Sequence, residues 1–246
     1  MKLYTLGTSH AAAEKGRSCS GSLLEINGRY YLFDCGANIE SKLVDMGLDP
    51  TDVRAIFISH MHEDHIGSIS CMLKRIAGHY NKQGLTTDVF FPEKEAIPPF
   101  IAWLEAMHFD LSNISRFNMA PVSPELTYND GTIKVTAIPT KHVFMGKYPS
   151  FAYMVETSDK RFLYTGDLAP SFVDYPTVVY EKDFDAILSE LVHFDVEKNL
   201  PSIIKSRTKK LIFTHIGPSK IPQIEQASDK FPFPVFIAND GDCFDI

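Results

Sequence analysis

A compact β-branched run, residues 53–58, ends at Ser59 and passes directly into His60-Met61-His62-Glu63-Asp64-His65. That junction constrains the fold more than any other feature. The chain has only nine histidines, and three of them fall in this six-residue window together with an aspartate. A strand that empties into such a cluster carries it to a sheet edge, where other strand ends can add further groups. In extended backbone, residues two apart share a face, so His60 and His62 can hold one metal ion together. Asp64 and His65, where a helical pattern starts, face a second position a few ångströms away. The bland alternative makes Asp64 a helix cap and the histidines exposed loop residues. Glu63, between the candidate ligands, reads as a solvated side chain.

Three more polar residues stand just past runs with strand character. His142 follows residues 135–138 and Pro139-Thr140-Lys141, Asp167 follows residues 162–165 and Gly166, and His215 follows residues 211–214. Alone, each has an ordinary reading: a lone histidine is commonly a hydrogen-bonded surface or core residue, and a Gly-Asp pair is usually a turn. Their shared position links them to the cluster. Five imidazoles and two carboxylates, with no thiolate, suit a pair of divalent ions that one carboxylate can bridge. Zinc is the first expectation, with manganese or iron open. Such a pair lowers the pKa of a bridging water toward neutrality and clamps both oxygens of a displacement, so hydrolysis is the expected reaction.

The remaining pattern predicts the architecture. Strands are expected at residues 2–6, 23–26 and 30–33, the last two joined by the hairpin signal Asn27-Gly28. A helical spacing over residues 39–46 closes at Gly47 and Pro50, and a second amphipathic helix is expected from Asp64 to Gly78. Further strands are expected at residues 89–91, 132–138, 151–156, 162–165, 185–189, 211–214 and 235–238. Helices are expected within residues 94–109, 199–206 and 221–230. The proline-rich stretch 91–100 and the poorly patterned stretch 110–126 read as loops. Hairpins mixed with alternating strands and helices exclude a purely parallel doubly wound sheet. They predict an α/β (α+β) chain with two mixed sheets packed face to face and helices outside.

Composition narrows the classes. With 246 residues, 44% hydrophobic and 22% charged, the chain can bury a substantial core, and one domain over residues 1–246 is expected. No stretch approaches the roughly 18 apolar residues of a membrane span, and the opening Met1-Lys2-Leu3-Tyr4 lacks the apolar run of a signal peptide; a cytoplasmic location is expected. Cys19, Cys35, Cys71 and Cys243 form no Cys-x-x-Cys pair and read as reduced structural residues. A net charge of −7 does not attract a polyanion over distance, which disfavours long nucleic acid and favours a small-molecule substrate. The basic cluster Lys205, Arg207, Lys209 and Lys210 reads as a solvated helix end. No membrane partner is expected, and a homodimer is the candidate assembly.

The motifs together resemble the metallo-β-lactamase superfamily. Leu32-Phe33-Asp34-Cys35-Gly36 is similar to its first motif, His60 to His65 to its second, and His142 to its third. Tyr164-Thr165-Gly166-Asp167 is similar to the fourth and Phe213-Thr214-His215 to the fifth. Ala238-Asn239-Asp240-Gly241-Asp242 resembles the segment before the last strand. The resemblance implies a four-layer αβ/βα sandwich with two metals at one edge. It also implies that His60, His62 and His142 hold the first metal, that Asp64, His65 and His215 hold the second, and that Asp167 bridges them. Asp34 would orient a ligand histidine, and Asp64 would also position or deprotonate the bridging water.

Within the superfamily, Leu3-Tyr4-Thr5-Leu6-Gly7-Thr8-Ser9 and Ser150-Phe151-Ala152-Tyr153-Met154-Val155-Glu156 resemble the ribonuclease Z and phosphodiesterase branch. Ribonuclease Z carries a His-Glu-Ala-Thr motif whose histidine protonates the leaving group. Here the stretch reads Ser189-Glu190-Leu191-Val192-His193, with serine in the histidine's place, and His193 is the candidate substitute. No long Gly/Pro and basic arm for gripping transfer RNA is evident. The expectation is a dinuclear zinc phosphodiesterase acting on a small phosphodiester such as a cyclic nucleotide. The alternatives are a lactone or thioester hydrolase, a transfer RNA 3′ endonuclease and an iron-dependent redox enzyme. Selectivity is expected from residues 78–84, 110–126 and 144–149.

Overall fold

The computed structural model describes residues 1–12, 14–78, 86–124 and 128–246. β1 (Lys2–Gly7), β2 (Gly21–Ile26) and β3 (Arg29–Phe33) pair antiparallel. Asn27 and Gly28, at φ 53° and 73°, supply the left-handed backbone that a two-residue hairpin turn requires. After β3 the pairing turns parallel, through β4 (Val53–Phe57), β5 (Thr87–Phe91) and β6 (Phe117–Pro121). Parallel neighbours need crossovers, and α1 (Ile39–Asp45), α2 (Glu63–Ile66), α3 (Ile69–Ala77) and α4 (Ile97–Ala106) lie in these connections.

The second sheet repeats the plan. β7 (Tyr128–Asn129), β8 (Lys134–Pro139), β9 (Phe151–Glu156) and β10 (Arg161–Tyr164) are antiparallel, and β11 (Ala186–Leu191), β12 (Leu211–Ile216) and β13 (Val235–Ile237) extend the sheet in parallel. α5 (Val196–Ile203) and α6 (Ile221–Ala227) cover its outer face, and β14 (Asp242–Asp245) returns to pair with β1.

Alternation along the strands separates the layers. Tyr31, Phe33, Phe57, Phe162 and Tyr164 fill the space between the sheets. Their neighbours Leu32 and Ile56 face the helices of the first layer, and Leu163 those of the second. Strands buried on both faces therefore read as continuous apolar runs. The Phe33 ring sits 5.1 Å from Phe57 and 6.0 Å from Tyr164. The architecture is the αβ/βα sandwich of two mixed sheets that the sequence predicts. Among the described residues no helix is long and apolar enough to cross a membrane.

Several local expectations are corrected. The helix expected from Asp64 to Gly78 is two helices, broken at Gly67-Ser68, where Ser68 N donates to Cys35 O at 3.0 Å. Ile66 and Ile69 pack on the same apolar cluster across the break, so the periodicity hides it. The stretch read as proline-rich loop starts α4: Pro98 and Pro99 occupy its first turn, where a missing N–H breaks no helical bond. Residues 110–126 are not all loop, since Leu111–Arg116 forms a 3-10 helix and β6 follows it; residues 125–126 lie outside those described. Of the expected selectivity segment 78–84, only Gly78 is described. The basic cluster is as expected: it lies just past α5 with Lys205, Arg207 and Lys209 exposed, Arg207 pairing with Asp183 and Lys209 with Asp185, each at 2.8 Å.

Candidate metal centre

β4 ends against its neighbours with little freedom. Ile58 N donates to Phe90 O at 3.0 Å, Tyr153 Oη donates to Ile58 O at 2.7 Å, and Phe151 N donates to Ser59 O at 3.0 Å. The next residue, His60, is thus fixed at the edge of the first sheet and fully buried. His62 caps α2 in extended backbone, and Asp64 and His65 follow in its first turn. From the second sheet come His142 after β8, Asp167 after β10 and His215 within the last turn of β12.

These residues meet as two triads, His60-His62-His142 and Asp64-His65-His215, with Asp167 close to members of both. On one side, His62 Nδ1 lies 2.9 Å from His60 Nε2 and 3.2 Å from His142 Nε2, while Asp167 Oδ2 lies 3.8 Å and 3.6 Å from those two Nε2 atoms. On the other, His65 Nε2 lies 3.4 Å from both Asp64 Oδ2 and Asp167 Oδ1, and His215 Nε2 lies 3.7 Å and 3.4 Å from Asp64 Oδ2 and Asp167 Oδ2. The structure therefore brings together all seven residues singled out as ligands from the sequence.

Electrostatics and hydrogen bonding test whether cations fit. His65 Nε2, His215 Nε2 and Asp167 Oδ1 are buried without a hydrogen-bond partner. Each such atom costs about 1–3 kcal/mol if left unpaired, and three of them aimed at one volume match the donor set of divalent ions. Burial holds the His60 and His142 imidazoles below their ordinary pKa, so both favour the neutral, ligating form. Asp167 is opposed by burial, but His215 and His65 hold its carboxyl well below the usual range. Asp64 is lowered in the same way, burial being outweighed by His65 and His215. For His65 burial is again overcome, here by Asp167 and Asp34, and its pKa is raised.

A second ring of groups fixes the imidazoles. Asp34 Oδ2 accepts from His65 Nδ1 at 2.7 Å, Tyr164 Oη at 2.6 Å and Ser59 Oγ at 2.8 Å, and Asp34 Oδ1 accepts from Ser59 N at 2.7 Å. His215 Nδ1 lies 2.8 Å from both Ser9 O and Ser20 Oγ, and His142 Nδ1 donates to Leu168 O at 3.3 Å. In His65, His142 and His215 one ring nitrogen is held and the other faces the cluster. Backbone strain gathers here too: Asp34, Gly166 and His215 have φ of 60°, 55° and 47°. A Cβ at Gly166 would lie 2.6 Å from Phe151 O, so Asp167 reaches the centre only behind a glycine.

His193 does not lie away from the site. Its Nδ1 is 3.0 Å from Glu190 Oε1 and 3.8 Å from Asp167 Oδ2, and its ring centroid is 4.4 Å from that of His142. Burial opposes protonation of His193, but Glu190 outweighs it and raises the pKa. The Glu190 carboxylate is itself pinned by Leu168 N at 2.9 Å, Val192 N at 2.6 Å and His193 N at 3.1 Å. Sequence reasoning assigned no role to Glu190, Tyr164, Ser59 or Ser20. Two of them carried a signal: Tyr164, as the inward-facing strand residue three before Asp167, and Glu190, as the acidic residue of the stretch that resembles the His-Glu-Ala-Thr motif.

Residues 1–228 match the protein family described as "Anti-Pycsar protein Apyc1". Ribonuclease Z of Methanocaldococcus jannaschii is 30% identical over 162 residues, covering 65% of this chain and 49% of that protein. Ribonuclease Z of Crocosphaera subtropica is 28% identical over 188 residues, 73% of this chain and 55% of that protein. The chain thus spans about half the length of the curated relatives it matches. Among solved structures, the short form of human tRNase Z superposes with a TM-score of 0.79 at 20% identity, covering 100% of this chain and 99% of that one. The metallo-β-lactamase fold protein YhfI from Bacillus subtilis gives 0.77 at 18% identity, with 99% and 98% covered. The chain therefore belongs to the Anti-Pycsar protein Apyc1 family, in the ribonuclease Z-like branch of the metallo-β-lactamase superfamily.

Proposed function

We propose that the protein is a metal-dependent hydrolase, a phosphodiesterase that acts on a small phosphodiester such as a cyclic nucleotide. The observation that carries this reading is the pair of triads with Asp167 close to both, and with buried nitrogens and a carboxylate oxygen left without hydrogen-bond partners. His60, His62 and His142 would hold one divalent ion and Asp64, His65 and His215 the other, with Asp167 touching both; zinc suits this set of nitrogens and oxygens best. Two such ions, when bound, supply Lewis acidity and a lowered water pKa.

The chain's own groups complete the reaction. A phosphodiester bound at the cluster would lie between Asp64 on one side and His142 with the neighbouring His193 on the other. Water oxygen bonds to phosphorus, its proton passes to the Asp64 carboxylate, and the opposite P–O bond breaks. Glu190 holds His193 through Nδ1 and raises its pKa against burial, which leaves Nε2 to give a proton to the departing oxygen. A small substrate is favoured because the chain carries a net charge of −7, which does not draw in a long polyanion. The two sheets enclose one core, which supports reading residues 1–246 as one domain.

The test is turnover by the purified, metal-loaded protein on bis(p-nitrophenyl) phosphate and cyclic mononucleotides beside a panel of lactones and thioesters. Phosphodiester hydrolysis that is lost on chelation is expected. Hydrolysis confined to lactones or thioesters would replace this reading with the other bond class.

A further inference from the structure

The turn after His142 is unusual in two ways at once. Phe144 (φ 48°, ψ 48°) and Met145 (φ 56°, ψ 36°) are consecutive non-glycine residues in left-handed backbone, followed by Gly146 at φ 88°. Side chains there crowd the following carbonyl, and such pairs persist only where the surrounding fold imposes them. The flanks do impose it: Lys141 N donates to Asp174 Oδ2 at 2.6 Å, and Thr140 N donates to Ser150 O at 2.8 Å.

The strain is not offset by burial. Phe144 is 73% exposed, Met145 61% and Tyr148 43%. The Phe144 and Tyr148 rings meet edge to face at 5.9 Å, and Lys147 Nζ stands 5.1 Å above the Tyr148 ring. A rigidly anchored turn thus presents two aromatic faces to solvent beside a candidate ligand. Two residues span at most about 7 Å of backbone, so the Cα of Phe144 lies within that distance of the Cα of His142, which stands in the cluster. Strained backbone that displays apolar rings without burying them is suited to clamping a ligand rather than to packing a core.

We propose that this turn is the specificity platform of the site, with Phe144, braced by Tyr148, stacking on a planar heteroaromatic group of the substrate. The proposal rests on the phosphodiesterase reading and narrows it to phosphodiesters that carry such a group, as nucleotides do. Every nucleobase has a π-face, so stacking tolerates base identity. The platform therefore separates base-bearing from base-free substrates more sharply than one base from another.

The experiment compares kcat/KM for a nucleoside 3′,5′-cyclic phosphate with that for ribose 3′,5′-cyclic phosphate, which lacks the base. Metal-loaded wild type, Phe144→Ala and Phe144→Trp are used, with metal content, melting temperature and sedimentation recorded for each. Wild type should prefer the nucleotide, and Phe144→Ala should lower that preference by roughly 5- to 150-fold, mainly through KM. Phe144→Trp should retain it. An unchanged preference in Phe144→Ala overturns the platform while leaving the phosphodiesterase reading in place. So does a dimer that dissociates in Phe144→Ala with no change in preference, because the turn is then a contact between copies. No turnover of either cyclic phosphate by metal-loaded wild type overturns both.

Discussion

Asparagine at position 34 would keep the shape of the side chain and change what it can accept. Asp34 is fully buried and takes four hydrogen bonds, from Ser59 N, Ser59 Oγ, Tyr164 Oη and His65 Nδ1. In Asp34→Asn the amide oxygen can keep Ser59 N, which turns the amide NH2 toward the other three donors. Two of them are hydroxyls and can rotate to accept instead. The His65 imidazole has no such freedom, and an N–H at Nδ1 would face an N–H of the amide. Relief comes by moving the proton to Nε2, the atom that lies 3.4 Å from both Asp64 Oδ2 and Asp167 Oδ1. A protonated Nε2 cannot ligate a cation.

Loss of an outer carboxylate behind a ligand histidine lowers metal affinity by about 10- to 100-fold, or about 1.4–2.7 kcal/mol. Asp34→Asn should reach the upper part of that range, because the tautomer is reversed rather than merely released. The assay is competitive titration of the metal-free protein against a chromophoric zinc chelator, with thermal melts in the same buffers. The variant should fold, bind metal at least 10-fold less tightly, and gain less melting temperature on metal addition. Wild-type metal affinity in a folded Asp34→Asn protein would refute the tautomer argument.

His62 is exposed and its ring makes contacts only within the cluster, so His62→Ala should cost under about 0.5 kcal/mol in urea unfolding of the metal-free protein. It should still reduce bound metal and abolish turnover, and full occupancy by elemental analysis would contradict its assignment. At Gly36, a Cβ would stand 2.1 Å from Asp64 O and 2.8 Å from Cys19 Cβ. Gly36→Ala should therefore destabilise by about 1–3 kcal/mol and weaken metal binding by pushing the Asp64-His65 turn; wild-type values for both in unfolding and metal titration would exclude that coupling. Asp130 joins the sheets, accepting from Tyr31 Oη at 2.7 Å and from Thr132 N at 2.8 Å. Burial raises its pKa, but bonds from Ile133 N and Tyr31 win and leave it lowered. A depressed carboxyl stabilises above its unfolded pKa and loses that contribution as pH falls. Wild type should thus exceed Asp130→Asn in stability at pH 7, and the gap should shrink as pH drops below about 4; a gap that widens in acid denaturation series would reverse the sign.

Most of the fold was legible because its strands are buried on both faces and its turns use residues with a fixed conformational role. The hairpin at Asn27-Gly28 and the apolar runs of β4, β10 and β12 lie where pattern alone places them. What escaped was local. The break at Gly67-Ser68 keeps the apolar stripe in phase, so no periodicity marks it. Residues 117–121 form an edge strand, paired on one side by β5, with only Phe117 buried. Half-buried edge strands lose the continuous apolar signal of central ones.

At the candidate site, the candidate ligands were visible because five of the chain's nine histidines gather in the 60–65 cluster or stand at strand ends, whereas their supports are ordinary hydroxyls and carboxylates spread over the chain. Ser20 meets His215 across 195 residues and Tyr164 meets Asp34 across 130, separations that no local pattern reports. His193 shows the converse. By spacing, Ser189 occupies the position where a proton-donating histidine was expected, yet Ser189 Oγ donates to Glu190 O within its own strand. Its neighbour Glu190 accepts from Val192 N and His193 N, and this turn swings the His193 ring back beside His142 and Asp167. An imidazole displaced by four positions in sequence is thereby returned to the same cluster by one buried carboxylate. In the proposed reaction this is the imidazole that gives its proton to the departing oxygen, brought there from a position four residues later in the chain.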